Sequence, residues 1–167
     1  MSALAQIAQM ARPWSSLYGD TPALQVATAF AHFGGLLLGG GFAIVADTAT
    51  IRAARASEPR RRRQLAYIHG IHRIVLAGLA LTFISGLVMF AADVESFATS
   101  TVFWVKMALV ALLLANGGVM TLTESRLRGS RTGGGEGWQC MQRVAACSFA
   151  LWFATILAGT VLVNAGQ

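Results

Sequence analysis

The chain has 167 residues, 55% of them hydrophobic and 12% charged, with a formal net charge of +6. A water-soluble domain of this length needs far more ionisable surface, so the composition points to one domain in a lipid bilayer. The positive charge is gathered in two short stretches between apolar runs, which marks membrane orientation rather than nucleic-acid binding.

The first segment, MSALAQIAQMARPWSSLYGD, lacks the basic head and continuous apolar centre of a signal peptide. Leu4, Ile7, Ala11, Trp14 and Tyr18 recur at helical spacing, and Trp and Tyr favour membrane interfaces. Residues 1–20 are therefore expected to form a short amphipathic helix lying on the membrane; a frayed tail is the competing reading. Residues 21–167 are expected to form the all-α remainder, an integral membrane four-helix bundle.

Four apolar runs are long enough to cross hydrocarbon of about 30 Å, which takes roughly 20 helical residues. They cover residues 24–45, 74–92, 102–122 and 144–163, with the second helix beginning earlier, near Gln64. Lipid cannot satisfy open peptide groups, so each crossing must be a helix. Arg52, Arg55, Arg60, Arg61, Arg62 and Arg63 lie between the first two runs, and Arg126, Arg128, Arg131 and Arg143 between the last two. The connection ADVESFATST carries Asp93 and Glu95 and no base. Basic loops stay in the cytoplasm, which predicts both termini outside (N-out/C-out) in a bacterial-type inner membrane. The glycine-rich stretch GSRTGGGEGWQ lacks the ending of a phosphate-binding loop and reads as linker.

Helices in lipid associate where small residues let backbones approach. Gly34, Gly35, Gly39, Gly40 and Gly41 crowd the first run, and Gly70, Gly78 and Gly86 follow at intervals of eight on the second. Such faces serve tight packing, or they leave room for a flat ligand such as a porphyrin. Cys140 and Cys147 are seven apart, about 10 Å along a helix, and read as packing residues rather than a disulfide.

His32 falls eight residues into the first run, about 12 Å below its outer edge, and an imidazole at that depth is a functional candidate. Gly35 and Gly39 follow on the same side of the helix. Lys106, the only lysine, sits about 6 Å below the same boundary on the third run and can reach toward His32 or snorkel to the headgroups. Ser85, Met89 and Thr155 fall at comparable depth. Met89 and Met107 suit cuprous ion or plain core filling. At the inner edge, Asp47, His69 and His72 could hold one metal, or they are interfacial residues solvated by headgroups. No hydrolase triad, paired carboxylates or zinc-protease motif is present in the sequence.

The segment LQVATAFAHFGGLLLGGGFAI, the arginine-rich stretch, Ser85-Gly86 and FWVKMALVALLLANG together resemble two families of small four-helix membrane proteins. One is the HemJ-type protoporphyrinogen oxidases and the other the copper-resistance D (CopD) membrane domain. The resemblance covers about residues 24–118. His32 matches the first-span histidine of the HemJ pattern, and Trp104-Val105-Lys106 approximates its Trp-x-x-Lys motif with one residue fewer. Asn116 stands where that pattern has a further histidine. The HemJ side implies haem b or porphyrin near His32 and Lys106; the CopD side implies copper passage or delivery, for which His32, Met89 and Met107 are the candidate ligands by residue type. These leave three expectations: a haem-binding membrane redox or electron-transfer protein, a copper-handling permease, or an accessory subunit of a larger membrane complex or homo-oligomer.

Overall fold

The computed structural model describes residues 3–129 and 135–165, the side chains of Ala3, His69 and Ala165 excepted. Among these residues the chain is almost wholly helical and contains no strand. The helices are α1 (Ala3–Gly19), α2 (Pro22–Ala53), α3 (Glu58–Ala92), α4 (Val94–Thr99), α5 (Thr101–Gly129) and α6 (Gly135–Ala165). The four apolar runs lie within α2, α3, α5 and α6, each long and apolar enough to cross a membrane.

These helices outrun the spans expected of them. With 35 residues, α3 is about 50 Å long, against a hydrocarbon layer of about 30 Å. Most of the excess lies at the arginine-bearing end. Pro22 and Pro59 occupy the first turns of α2 and α3, where a proline's missing N–H would go unbonded anyway. Only residues 54–57 separate the two helices. Arginines 60–63, expected in a loop, therefore build the first turns of α3, and Arg126 and Arg128 the last turn of α5. Arginine is a good helix former, and beyond the lipid nothing requires a helix to stop where its apolar run does. Arg131 and the centre of the glycine-rich stretch lie outside the described residues. The acidic connection contains α4, whose start is capped by Asp93 accepting from the Ser96 N–H at 3.2 Å.

The central helix is α2, which packs along α3 and against α6, while α6 packs on α5. The glycines explain the closeness of α2 and α3. A Cβ added to Gly78 would lie 2.7 Å from both the Gly35 carbonyl oxygen and the Gly39 Cα. Gly40 receives the Trp152 indole, one carbon of which lies 3.0 Å from where a Cβ would stand. Gly35 and Gly39 thus hold α2 against α3, the packing use of the two that the sequence allowed. Gly70, expected to share a face with Gly78 and Gly86, has nothing within 4 Å of its Cβ position.

Side-chain burial divides the bundle lengthwise. The largest buried cluster, including Leu65, Ile68, Met120, Trp138, Met141 and Val144, lies at the arginine end. A smaller one of Ala43, Leu113 and Trp152 lies mid-bundle. Toward the other end Phe30, Phe33, Leu37, Phe83 and Ile84 are exposed on the outer faces, as expected where the surrounding solvent is hydrocarbon. There α1 docks on α3: the Trp14 indole donates to the Val88 carbonyl at 3.1 Å. Gln25 ties down the α1–α2 turn by donating to the carbonyls of Tyr18 and Gly19.

Candidate functional site

The close α2–α3 contact sets the register that brings His32 opposite Ser85 and Gly86. His32 Nδ1 lies 3.1 Å from Ser85 Oγ. The ring edge would stand 3.3 Å from a Cβ on Gly86, so that glycine gives the imidazole its seat. Thr82, one turn before Gly86 on α3, donates to the His32 carbonyl at 3.5 Å.

The direction of the His32–Ser85 bond follows from a proton count. Ser85 is 4% exposed, and its Oγ lies 2.7 Å from the Leu81 carbonyl and 3.1 Å from that of Thr82. A carbonyl can only accept, so the single serine hydrogen goes to the backbone. Ser85 Oγ then accepts from His32 Nδ1–H. In the neutral imidazole this leaves Nε2 without a hydrogen, presenting a lone pair, the state required of a metal ligand or a base.

Lys106 turns toward α6 rather than along the helix to the headgroups. Its Nζ lies 3.6 Å from the Cβ position of Gly159, which sits level with it in the register that also opposes Leu127 to Gly137. The ammonium is within electrostatic reach of His32. Thr155, one turn before Gly159, is buried but donates to the Leu151 carbonyl at 2.8 Å. Met89 stands one turn beyond Ser85 on α3 and is half-buried, as is Met107. Beside Ser85, a shallow groove of about 250 Å³ is lined by Ala27, Thr28, Ala31, Leu81, Ile84 and Val88.

At the inner edge, Asp47 and His72 meet different side chains. Asp47 is 3% exposed and takes a hydrogen bond from Ser148 of α6, while its Oδ2 has no partner. His72 faces α5, with Nε2 3.2 Å from Thr121 Oγ1 and Nδ1 3.7 Å from the buried Glu124 carboxylate. Asp47 and His72 thus serve different neighbours, because α2 and α3 present these positions to α6 and α5. The His69 side chain lies outside the described residues. Among the described residues no group of three or more His, Cys, Asp or Glu side chains could hold a metal ion.

Sequence reasoning passed over Glu124, which lies two residues beyond the third apolar run. It is 4% exposed and pairs with Arg128 at 2.8 Å. The available signal was the i,i+4 spacing of Glu124 and Arg128 on one helical face. Asn116 donates to the Val144 carbonyl at 3.1 Å, so it fastens α5 to α6.

No family model matches this chain, and neither a curated protein nor a solved structure does.

Proposed function

We propose that the chain is a four-span membrane protein whose working part is the His32–Ser85–Lys106 centre, and that this centre binds a b-type haem for electron transfer. The arginine-bearing ends lie in the cytoplasm, α1 lies along the outer interface, and the centre sits in the outer half of an inner membrane. One observation carries the reading: Ser85 spends its proton on the backbone and so holds His32 with a bare Nε2. That is the donor a haem iron takes from a protein, and the serine is the kind of outer partner that orients such ligands. Lys106 supplies a cation for a propionate carboxylate within electrostatic reach of the same ring. Haem would contribute reversible one-electron chemistry; the chain contributes ligand, counter-charge and an apolar surround that excludes water.

The visible spectrum of detergent-purified protein, expressed with haem supplied, tests this. A Soret band is expected that His32→Ala removes and Ser85→Ala weakens. Colourless protein, or a band indifferent to His32→Ala, would overturn it.

One observation favours a second reading, an accessory subunit. Gly35, Gly39 and Gly78 are consumed by helix contact, so a macrocycle on His32 would have to lie outside the α2–α3 seam. Under that reading the exposed Phe30, Phe33 and Leu37 face another protein's helices. Colourless protein that co-purifies with fixed membrane partners in constant ratio is its expected behaviour. A copper permease using His32, Met89 and Met107 predicts instead stoichiometric copper without haem.

A further inference from the structure

At the arginine-bearing end, the first turns of α3 meet the last turn of α5 and the first turns of α6 around a pocket of about 360 Å³. Glu58, Arg61, Arg62, Leu127, Arg128 and Trp138 contribute to its lining. Three guanidinium groups share this space, and two of them are already balanced. Arg62 pairs with Glu58 at 3.1 Å, and Arg128 pairs with the buried Glu124 at 2.8 Å while also donating to the Leu65 carbonyl. Arg61 has no carboxylate partner among the described residues. It is held in place instead, donating to the Ala54 carbonyl at 2.6 Å and lying over the Trp138 ring at 5.6 Å from the centroid. Its Nε is buried and has no hydrogen-bond partner.

A guanidinium held in place at the pocket wall with no carboxylate beside it carries an uncompensated positive charge, for which an anion is the natural partner. Arginine's planar fork matches phosphate oxygens, and two further guanidinium groups line the same wall. We propose that this pocket binds a phosphate group, with Arg61 as the principal donor and Arg62 and Arg128 framing it. Leu65 lies nine residues before the second apolar run, about 13 Å beyond its edge and past a headgroup layer of roughly 6 Å. A soluble phosphate compound reaches that level, as does an anionic lipid with an extended headgroup. The shared chemistry is the phosphate.

Two measurements on the full chain test the proposal and separate the sources. Inorganic phosphate is titrated against protein in a neutral detergent at constant ionic strength, with calorimetric readout. Native mass spectrometry from mixed vesicles of phosphatidylinositol phosphate, whose outer phosphate stands off the glycerol backbone, and phosphatidylcholine reports retained lipid. Phosphate binding in lipid-free micelles marks a soluble source. Selective retention of phosphatidylinositol phosphate, displaced by added phosphate, marks a lipid source. Either supports the site, provided Arg61→Lys lowers it about ten-fold, the loss expected for one charge-assisted donor. That variant keeps the charge but loses the fork. Should Arg61→Lys fail to fold, Arg62→Gln, at a largely exposed side chain, is expected to weaken binding several-fold. Arg126→Gln, which removes an exposed charge outside the pocket, should leave binding within about two-fold. Absence of both signals, or equal losses in Arg126→Gln and the pocket variants, overturns the proposal.

Discussion

Ser85 has one hydrogen, and its destination decides what His32 can do. With that hydrogen on the Leu81 carbonyl, the imidazole must donate through Nδ1. In ¹⁵N spectra of histidine-labelled protein, His32 is expected as the Nδ1–H tautomer, and Ser85→Ala should release it toward a mixture. A buried donor left without an acceptor costs about 1–3 kcal/mol, so the variant should also be less stable. Wild-type protein carrying the proton on Nε2 would contradict the assignment. Asp47 poses the opposite problem, a buried carboxyl whose Oδ2 meets nothing. No cation pairs with it among the described residues, so a charge there is costly. Asp47→Asn keeps the shape and a partner for Ser148, and its thermal midpoint in detergent should equal or exceed that of wild type. A fall of several degrees would reveal a cationic partner for Asp47. The shared depth of His32, Ser85 and Lys106 was legible because helical rise is regular. The partners of Asp47 and His72 were not, because they depend on how each helix rotates about its axis. With lipid and neighbouring helices both apolar, hydropathy does not mark the inward side.

Among the elements, the α2–α3 pair rests on backbone contact rather than on interlocking side chains. At Gly78 an added methyl would overlap the Gly35 carbonyl and the backbone of Gly39, none of which can swing away as a flexible side chain could. Gly78→Ala should therefore cost about 1–3 kcal/mol or more, as overpacking does, and loosen the register that seats His32. Gly70, eight residues earlier on the same helix, has open space at its Cβ position. Gly70→Ala should be neutral or stabilising by up to about 1 kcal/mol through helix propensity alone. Comparable losses at both positions, measured by unfolding in mixed micelles, would mean that α2 and α3 do not meet as described. The four helices were legible from their apolar runs, but their ends were not. Hydropathy reports where lipid stops, whereas residues 58–73 continue α3 as polar and basic helix well beyond that level.

Across the whole molecule, two solvents explain where the packing lies. Hydrocarbon gives apolar side chains no reason to leave it, so the outer faces keep Phe30, Phe33 and Leu37 exposed and the helices meet through glycine. At the arginine end water restores the hydrophobic drive, and there Trp138, Met141 and Ile68 are almost wholly buried. This division requires that end to emerge from the bilayer, and the proposed topology puts it in the cytoplasm. Cysteine labelling tests both statements together. Cys140 and Cys147 are free and exposed, so they are first replaced by alanine. Ser96→Cys on α4 should then react with a membrane-impermeant maleimide added to intact spheroplasts, whereas Arg62→Cys, also exposed, should react only after permeabilisation. The reverse pattern would invert the molecule and move the His32 centre to the cytoplasmic leaflet. Protection of both positions even after permeabilisation would remove the emergent end, and with it the explanation for the largest buried cluster lying there.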